Sequence, residues 1–287
     1  MLYHSENQTT TTVKGSVATV IADSIKNGKR ITTFELVYPR FIHSELMTYR
    51  MFSRNASSSR ATPLSVTLNE VRNDPVFFDK VGKNQPGMVA GALLTEQELS
   101  DFQCDWWNLA QSVADQIEKM AEHYNIHKQV LNRALEPFTR IRTLVTATEY
   151  TNFFQQRLAP DAQPEIYSLA LAMKTAMDLS KPVERDAHIP YINDCEQFNS
   201  ADDKIKASVA RCARVSYGRH DQKLSTIEDD LKLYNHLVKN HHLSPLEHIA
   251  SAVDFNHSNK RYDNFTGWRS LRNQLADFTK TGQLITV

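Results

Sequence analysis

Between residues 95 and 127 the apolar side chains Leu99, Phe102, Trp106, Leu109, Val113, Ile117 and Met120 fall on one helical stripe. That spacing predicts a single long amphipathic helix whose apolar face, the Trp pair included, belongs to a core rather than to a cofactor. Two strand-like runs stand far apart, residues 31–38 ending at Pro39 and residues 142–148. Helical spacing is also read at 13–28 (Val17, Val20, Ile21, Ile25, closed by Asn27-Gly28), at 40–52, at Lys128–Leu135, at 149–158 and at Pro164–Leu179. Two more helices are expected near 202–214 and 225–240. Residues 61–94 read as an irregular excursion and 180–200 as a linker. There is no internal repeat. Long helices with few strands predict an α+β fold, helices packed on a small mixed or antiparallel sheet, in one domain over 1–287.

Lys plus Arg and Asp plus Glu number 33 each among the 287 residues, so no global field draws the chain to a nucleic-acid polymer or an anionic membrane. Cys104, Cys195 and Cys212 lack any CxxC spacing and fit a reducing compartment better than a disulfide framework or zinc site. No apolar run approaches the roughly 18 residues of a membrane span, and the N-terminus does not read as a signal peptide. A soluble, cytoplasmic protein is expected. Glycine is scarce, at 8 residues, and neither GxGxxG nor GxxxxGK[ST] occurs. Any bound nucleotide must therefore be held by side chains instead of a glycine-rich backbone cradle.

Four segments carry side chains suited to that task. In the first, Arg50, Arg54 and Arg60 surround Ser53, Asn55, Ser57, Ser58 and Ser59, and arginine forks beside short hydroxyls suit a phosphate or a base edge. The second is Asn132-Arg133 before Pro137. The third is Asn152 to Arg157, in which Asn152 and Gln156 share a helical face, followed by Asp161 to Ile166. The fourth joins Ala213 to Tyr217 with His241 to His248. His242, Glu247 and His248 lack the i, i+4 histidine pair of a helical zinc site, so no metal is expected. Ser244-Pro245-Leu246-Glu247 predicts a capped helix start with backbone N–H groups open to an anion.

Together these segments resemble the flavin-dependent thymidylate synthases. Thr48-Tyr49-Arg50 stands where the family has Arg-His-Arg, and Ser58 and Arg60 keep the family's spacing. Arg133 before Pro137, Asn152 with Arg157, and Ala162-Gln163-x-Glu165-Ile166 resemble the family's pyrimidine-binding segments. Ala213-Arg214-Val215-Ser216 and His242-x-Ser244-Pro245-x-Glu247-His248 resemble its flavin-contacting segment. Here that last segment follows the others, whereas in the family it precedes them, as in a circular permutation. Ala56 also stands where the family often has Glu.

The resemblance implies reductive methylation of dUMP to dTMP, with methylenetetrahydrofolate as carbon donor, FAD as cofactor and NADPH as reductant. It implies a nucleotide-site portion over 30–180 and a flavin-contacting portion over 201–287. Arg157 and Ser58 are the expected catalytic residues. Glu45, Ser58, Ser59, Arg60, Arg133 and Arg157 are the expected substrate-binding residues. Thr48, Tyr49, Arg50, Asn152, Ser216, His242 and Ser244 are expected at the flavin, in a homotetramer whose sites draw on several subunits. The altered Thr48-Tyr49 pair also admits a hydroxymethylase, a dCMP methyltransferase, or a non-catalytic nucleotide-binding relative. Residues 264–272 read as part of an amphipathic terminal helix.

Overall fold

The first hydrophobic run of the chain folds as strands. In the computed structural model, which describes residues 8–193, 195–217 and 225–281, β1 (Thr9–Val13), β2 (Ser16–Lys26) and β3 (Lys29–Pro39) form a meander. This overturns the helix expected over 13–28. Lys14-Gly15 and Asn27-Gly28 all hold positive φ, between 43° and 79°, which is the geometry of two-residue hairpin turns. Val20 belongs to one core cluster and Ile21 to another, as opposite faces of a strand require, and the pairing register shifts between Val20 and Ala22. A bulged strand buried on both faces thus mimics helical spacing.

A short 3-10 turn at Arg40–Ile42 leads into α1 (His43–Met47), and β4 (Ser53–Ala56) follows. The helix expected over 40–52 ends early because the Arg54 Nη1 donates to the carbonyls of Leu46 (3.4 Å), Met47 (2.8 Å) and Tyr49 (3.1 Å). Arg54 is therefore occupied as a helix terminator. The excursion expected over 61–94 contains α2 (Leu64–Asn73), which opens after Pro63 and buries Thr67, Leu68 and Val71.

The long helix α3 (Glu96–Tyr124) begins with a capping box between Thr95 and Glu98. It packs with α2 and α4 (Lys128–Leu135) through Ala110, Ala114 and Ile117, with Trp106 and Val113 partly covered. Leu109 (49 % exposed) and Met120 (40 % exposed) leave the expected core stripe, because the alanines allow the closest helix approach.

β5 (Arg140–Ala147) then enters the sheet between β3 and β4, giving the antiparallel order β1-β2-β3-β5-β4. α5 (Thr151–Arg157) and α6 (Pro164–Leu179) follow, and α6 packs on β1 and β2. The linker expected at 180–200 carries β6 (Val183–Glu184), parallel to β2, and β7 (Ala187–His188). The C-terminal part contributes α7 (Ala201–Tyr217), α8 (Ile227–Lys239), β8 (Ala250–Ala252), β9 (Arg261–Tyr262), β10 (Phe265–Thr266), β11 (Trp268–Ser270) and α9 (Leu271–Thr281).

Only the end of the 264–272 stretch is helical. The fully buried Trp268 donates from Nε1 to the Lys29 carbonyl at 3.0 Å, which pins a β-strand where a terminal helix was expected. A buried polar chain also ties the two parts of the molecule together. Ser24 Oγ lies 2.9 Å from His188 Nδ1, and His188 Nε2 lies 2.7 Å from Thr33 Oγ1. Thr33 and Thr146 are 2.6 Å apart, and Thr146 reaches His248 Nδ1 at 2.8 Å. Burial depresses both imidazoles to about 3.

Candidate functional site

The candidate residues gather at the two ends of β4. At its start stands Tyr49, buried with Phe52, Phe153 and Phe154 in the main core. Its ring meets Phe153 edge-on at 4.9 Å. The phenol donates to Gln156 Oε1 at 2.7 Å and accepts from Arg157 Nε at 2.9 Å. Arg157 closes α5, where the helix delivers it across the Tyr49 ring with its guanidinium carbon 5.5 Å from the centroid. Glu45 of α1 approaches Arg157 Nη1 at 3.7 Å. Burial raises the Glu45 carboxyl, and the Arg157 charge pulls it the other way.

Two neighbours of this group had no assigned role in the sequence. Gln156 orients the Tyr49 hydroxyl. Glu165, at the start of α6, keeps one carboxylate oxygen buried without a partner, and desolvation raises its pKa. Gln163 donates to its other oxygen at 3.0 Å. The Gln-x-Glu spacing is the only local signal that joins them.

At the far end of β4 the chain continues into the serine loop. The Ser57 amide bonds the Arg142 carbonyl at 2.8 Å, and the Ser58 amide bonds the Ser216 carbonyl at 3.2 Å. Ser58 Oγ accepts from the Arg60 amide at 3.3 Å. Asn132, fully buried on α4, donates to the carbonyls of Ser59 (2.7 Å) and Thr62 (3.0 Å) and so clamps the loop. Arg60 is exposed, and Arg133 is an exposed partner of Glu136 at 3.0 Å. A four-residue strand spans about 13 Å. Within one chain, the Arg157 group and the Ser58, Arg60 and Arg133 group therefore stand at opposite ends of that strand.

The fourth segment packs against the same strand. Asn55 Nδ2 donates to the Cys212 carbonyl of α7 at 3.3 Å, and the 3-10 turn Ser244–Glu247 packs on both β4 and α7. Ser244 caps nothing, because the turn closes after four residues and the chain runs on into β8. The capped helix expected there is absent, and Glu247 instead pairs with Arg272. His242 and Ser244 are exposed, as are Thr48, Arg50 and Asn152. Thr48 Oγ1 is spent on the Glu45 carbonyl at 2.7 Å. Tyr217 closes α7, and its side chain lies outside the described atoms.

Behind the serine loop lies a cleft of ≈ 390 Å³. Ser57 and Ser59 line it, with Val37, Ile141 and Val215 as its apolar wall, while Ser58, Arg60 and Arg133 do not. None of the flavin candidates lines it either. Among the described residues no cluster of His, Cys, Asp and Glu could hold a metal ion, and no helix is long and apolar enough to cross a membrane.

No curated protein matches the chain. Among solved structures it is similar to a UMP/dUMP methylase, PolB, from Streptomyces cacaoi bound with 5-Br UMP. That similarity has 17 % identity and a TM-score of 0.41, over 52 % of this chain and 69 % of that one. It is also similar to thymidylate synthase X from Helicobacter pylori with FAD and dUMP, at 18 % identity and a TM-score of 0.35, over 51 % of this chain and 67 % of that one. The model of the family described as thymidylate synthase complementing protein matches residues 30–183. That range holds every candidate from Glu45 to Arg157 and stops short of Ser216, His242 and Ser244. Since the match spans more than half of the sequence, the chain belongs to the thymidylate synthase complementing protein family.

Proposed function

We propose that this protein is a flavin-dependent methyltransferase that converts dUMP to dTMP, with methylenetetrahydrofolate as carbon donor and NADPH as reductant. The observation that carries the reading is the arginine held by Tyr49: Arg157 Nε is fixed at 2.9 Å, which leaves its Nη groups to face a ligand. A guanidinium so pinned is a preorganised donor pair for a pyrimidine carbonyl, where negative charge grows as C5 becomes nucleophilic. Glu45 lies beside the fork, 3.7 Å from Nη1. Arg60 and Arg133, both exposed, supply the charge for the 5′-phosphate, and Ser58 adds a hydroxyl.

Arg50 and Asn152 flank the Tyr49–Phe153 contact in sequence, are exposed, and have no side-chain partner among the described residues. Together with His242 they fit the polar edges of a flavin dinucleotide laid on the surface of the chain. FAD, when bound, supplies the reducing equivalents for the transferred carbon. Because the two patches lie at opposite ends of β4, the reading includes a homotetramer in which one chain's Arg157 faces another's serine loop. The permuted order of the Ser216 and His242 segment belongs to the same proposal.

Purified protein is expected to be yellow, with about one FAD per chain. Colourless protein that takes up no added FAD would overturn the assignment. A second reading rests on Tyr49, whose phenol is already committed to Gln156 and Arg157 and replaces a family histidine. It predicts a product one oxygen heavier than dTMP, or preferential turnover of dCMP. Mass spectrometry of the products from both nucleotides separates the two.

A further inference from the structure

The inner face of α3 is spent on α2 and α4, but the sector beside it is apolar and open. At about 100° per residue, Leu109, Val113, Met120 and Tyr124 share that sector along the helix. Leu109, Met120 and Tyr124 are 49 %, 40 % and 64 % exposed, and Val113 is only partly covered by the core behind it. An apolar strip of this length on a solvent-facing helix marks a contact surface.

The next sector round the helix carries charge with a direction. Asp101 and Asp105 stand toward its N-terminal end, and Lys119 and His123 toward its C-terminal end, all exposed. Asp105 and Lys119 make no ion pair or hydrogen bond among the described residues. Asp115, one turn before Lys119, is taken by Arg72 at 2.9 Å. The two pairs are also symmetric about one residue. Asp105 and Lys119 lie seven residues either side of Ser112, and Asp101 and His123 lie eleven either side.

That symmetry selects the occupant. When two copies of a helix pack antiparallel about a perpendicular two-fold axis, each flank meets the same flank of the other copy. With the axis at Ser112, Asp105 faces the partner's Lys119 and Asp101 faces the partner's His123. The apolar sector then meets its own copy on the other side of the seam. A parallel pair in register would set acid on acid and base on base. The small Ser112 at the crossing permits close approach, and the seam from Asp101 to His123 runs about 33 Å.

We propose that α3 is an isologous interface, pairing two copies of this chain antiparallel about Ser112. The apolar sector supplies the affinity, and the exposed charges fix direction and register. No proposed site residue lies on α3, so this contact is additional to the one proposed between Arg157 and another chain's serine loop. It does not rest on the flavin reading.

Sedimentation of the purified protein, with or without flavin, should show an assembly with an even number of chains. Leu109→Asp changes an exposed position, so circular dichroism should stay native while that assembly halves in mass or dissociates at least tenfold more readily. Asp105→Lys alone and Lys119→Glu alone each set like charges opposite one another and should loosen association about tenfold. The two substitutions together restore opposite charges and should recover the wild-type constant. In a Cys104→Ser, Cys195→Ser background, Ser112→Cys should oxidise to a covalent dimer with copper–phenanthroline, whereas Glu122→Cys, outside both sectors, should not. Monomeric wild type, an unchanged assembly in Leu109→Asp, no recovery in the double reversal, or equal cross-linking at positions 112 and 122 would each overturn the proposal. Colourless protein that still pairs in this way would overturn the enzyme reading alone.

Discussion

Arg157 donates its Nε hydrogen to the phenolic oxygen of Tyr49 at 2.9 Å, although 108 residues separate the two in sequence. The same oxygen donates onward to Gln156, so the guanidinium is held by a hydroxyl whose own hydrogen is already directed. The buried, oriented phenol fixes the arginine through Nε, while the nearest carboxylate, Glu45, stands off at 3.7 Å from Nη1.

Tyr49→Phe tests that relationship. It removes one hydroxyl from a packed ring and should cost about 1 kcal/mol of stability. Turnover should fall about tenfold, equivalent to about 1.4 kcal/mol of transition-state stabilisation. Arg157→Ala should abolish turnover while circular dichroism remains native. Full kcat in Tyr49→Phe would show that the phenol does not position the arginine for chemistry.

Arg54 looks like a ligand-binding residue in the sequence and behaves as a helix terminator in the fold. Arg54→Ala strips the charged donor from the carbonyls of Leu46, Met47 and Tyr49. A loss of about 1–2 kcal/mol is expected from urea unfolding. An unchanged midpoint would show that water replaces the side chain at no cost.

Asn132→Ala removes both clamps on the serine loop and leaves the Ser59 and Thr62 carbonyls unpaired by that side chain. Destabilisation by about 2–3 kcal/mol is expected. Because the loop carries Ser58 and Arg60, KM for dUMP should rise more than kcat falls. The reverse split, kcat lost at constant KM, would place the loop in the chemical step and not in binding.

The paired histidines predict an acid-sensitive joint. His188 and His248 are buried and depressed to about 3, below the free value of 6.5. Their contribution to stability is therefore whole above pH 6.5 and is lost as pH falls from 6.5 toward 3. The slope is at most about 1.4 kcal/mol per pH unit per ring. Glu70 and Glu165, raised by burial, work in the opposite direction, so the informative quantity is a difference between variants. His248→Gln, which can still bond Thr146, should flatten the descent measured by urea melts across that range. An identical pH profile in wild type and variant would remove His248 from the acid response.

The helices that end by local chemistry were readable in advance. α4 and α6 occur where their spacing and flanking prolines placed them, and α3 differs from its expected span mainly at its C-terminal end. β3 was read correctly as a strand ending at Pro39, whereas β2 was misread as a helix because a bulge and two-sided burial erase the period of two on which strand recognition rests. α2 was missed because Pro63 and Pro75 punctuate a short helix as though it were a loop.

At the candidate site, the motif spacings carried the resemblance that the family match over residues 30–183 bears out. Residue identity and spacing along a chain are local properties, so the sequence by itself determined which side chains are available: the arginines, the serines and the scarcity of glycine. Only the tertiary structure decided their employment. It buried Tyr49 beneath Arg157, turned Arg54 onto helix carbonyls, and clamped the Ser59 and Thr62 carbonyls with the buried Asn132 amide. Each of these outcomes depends on a partner brought near by sheet order and helix packing, and no spacing in the sequence encodes that proximity.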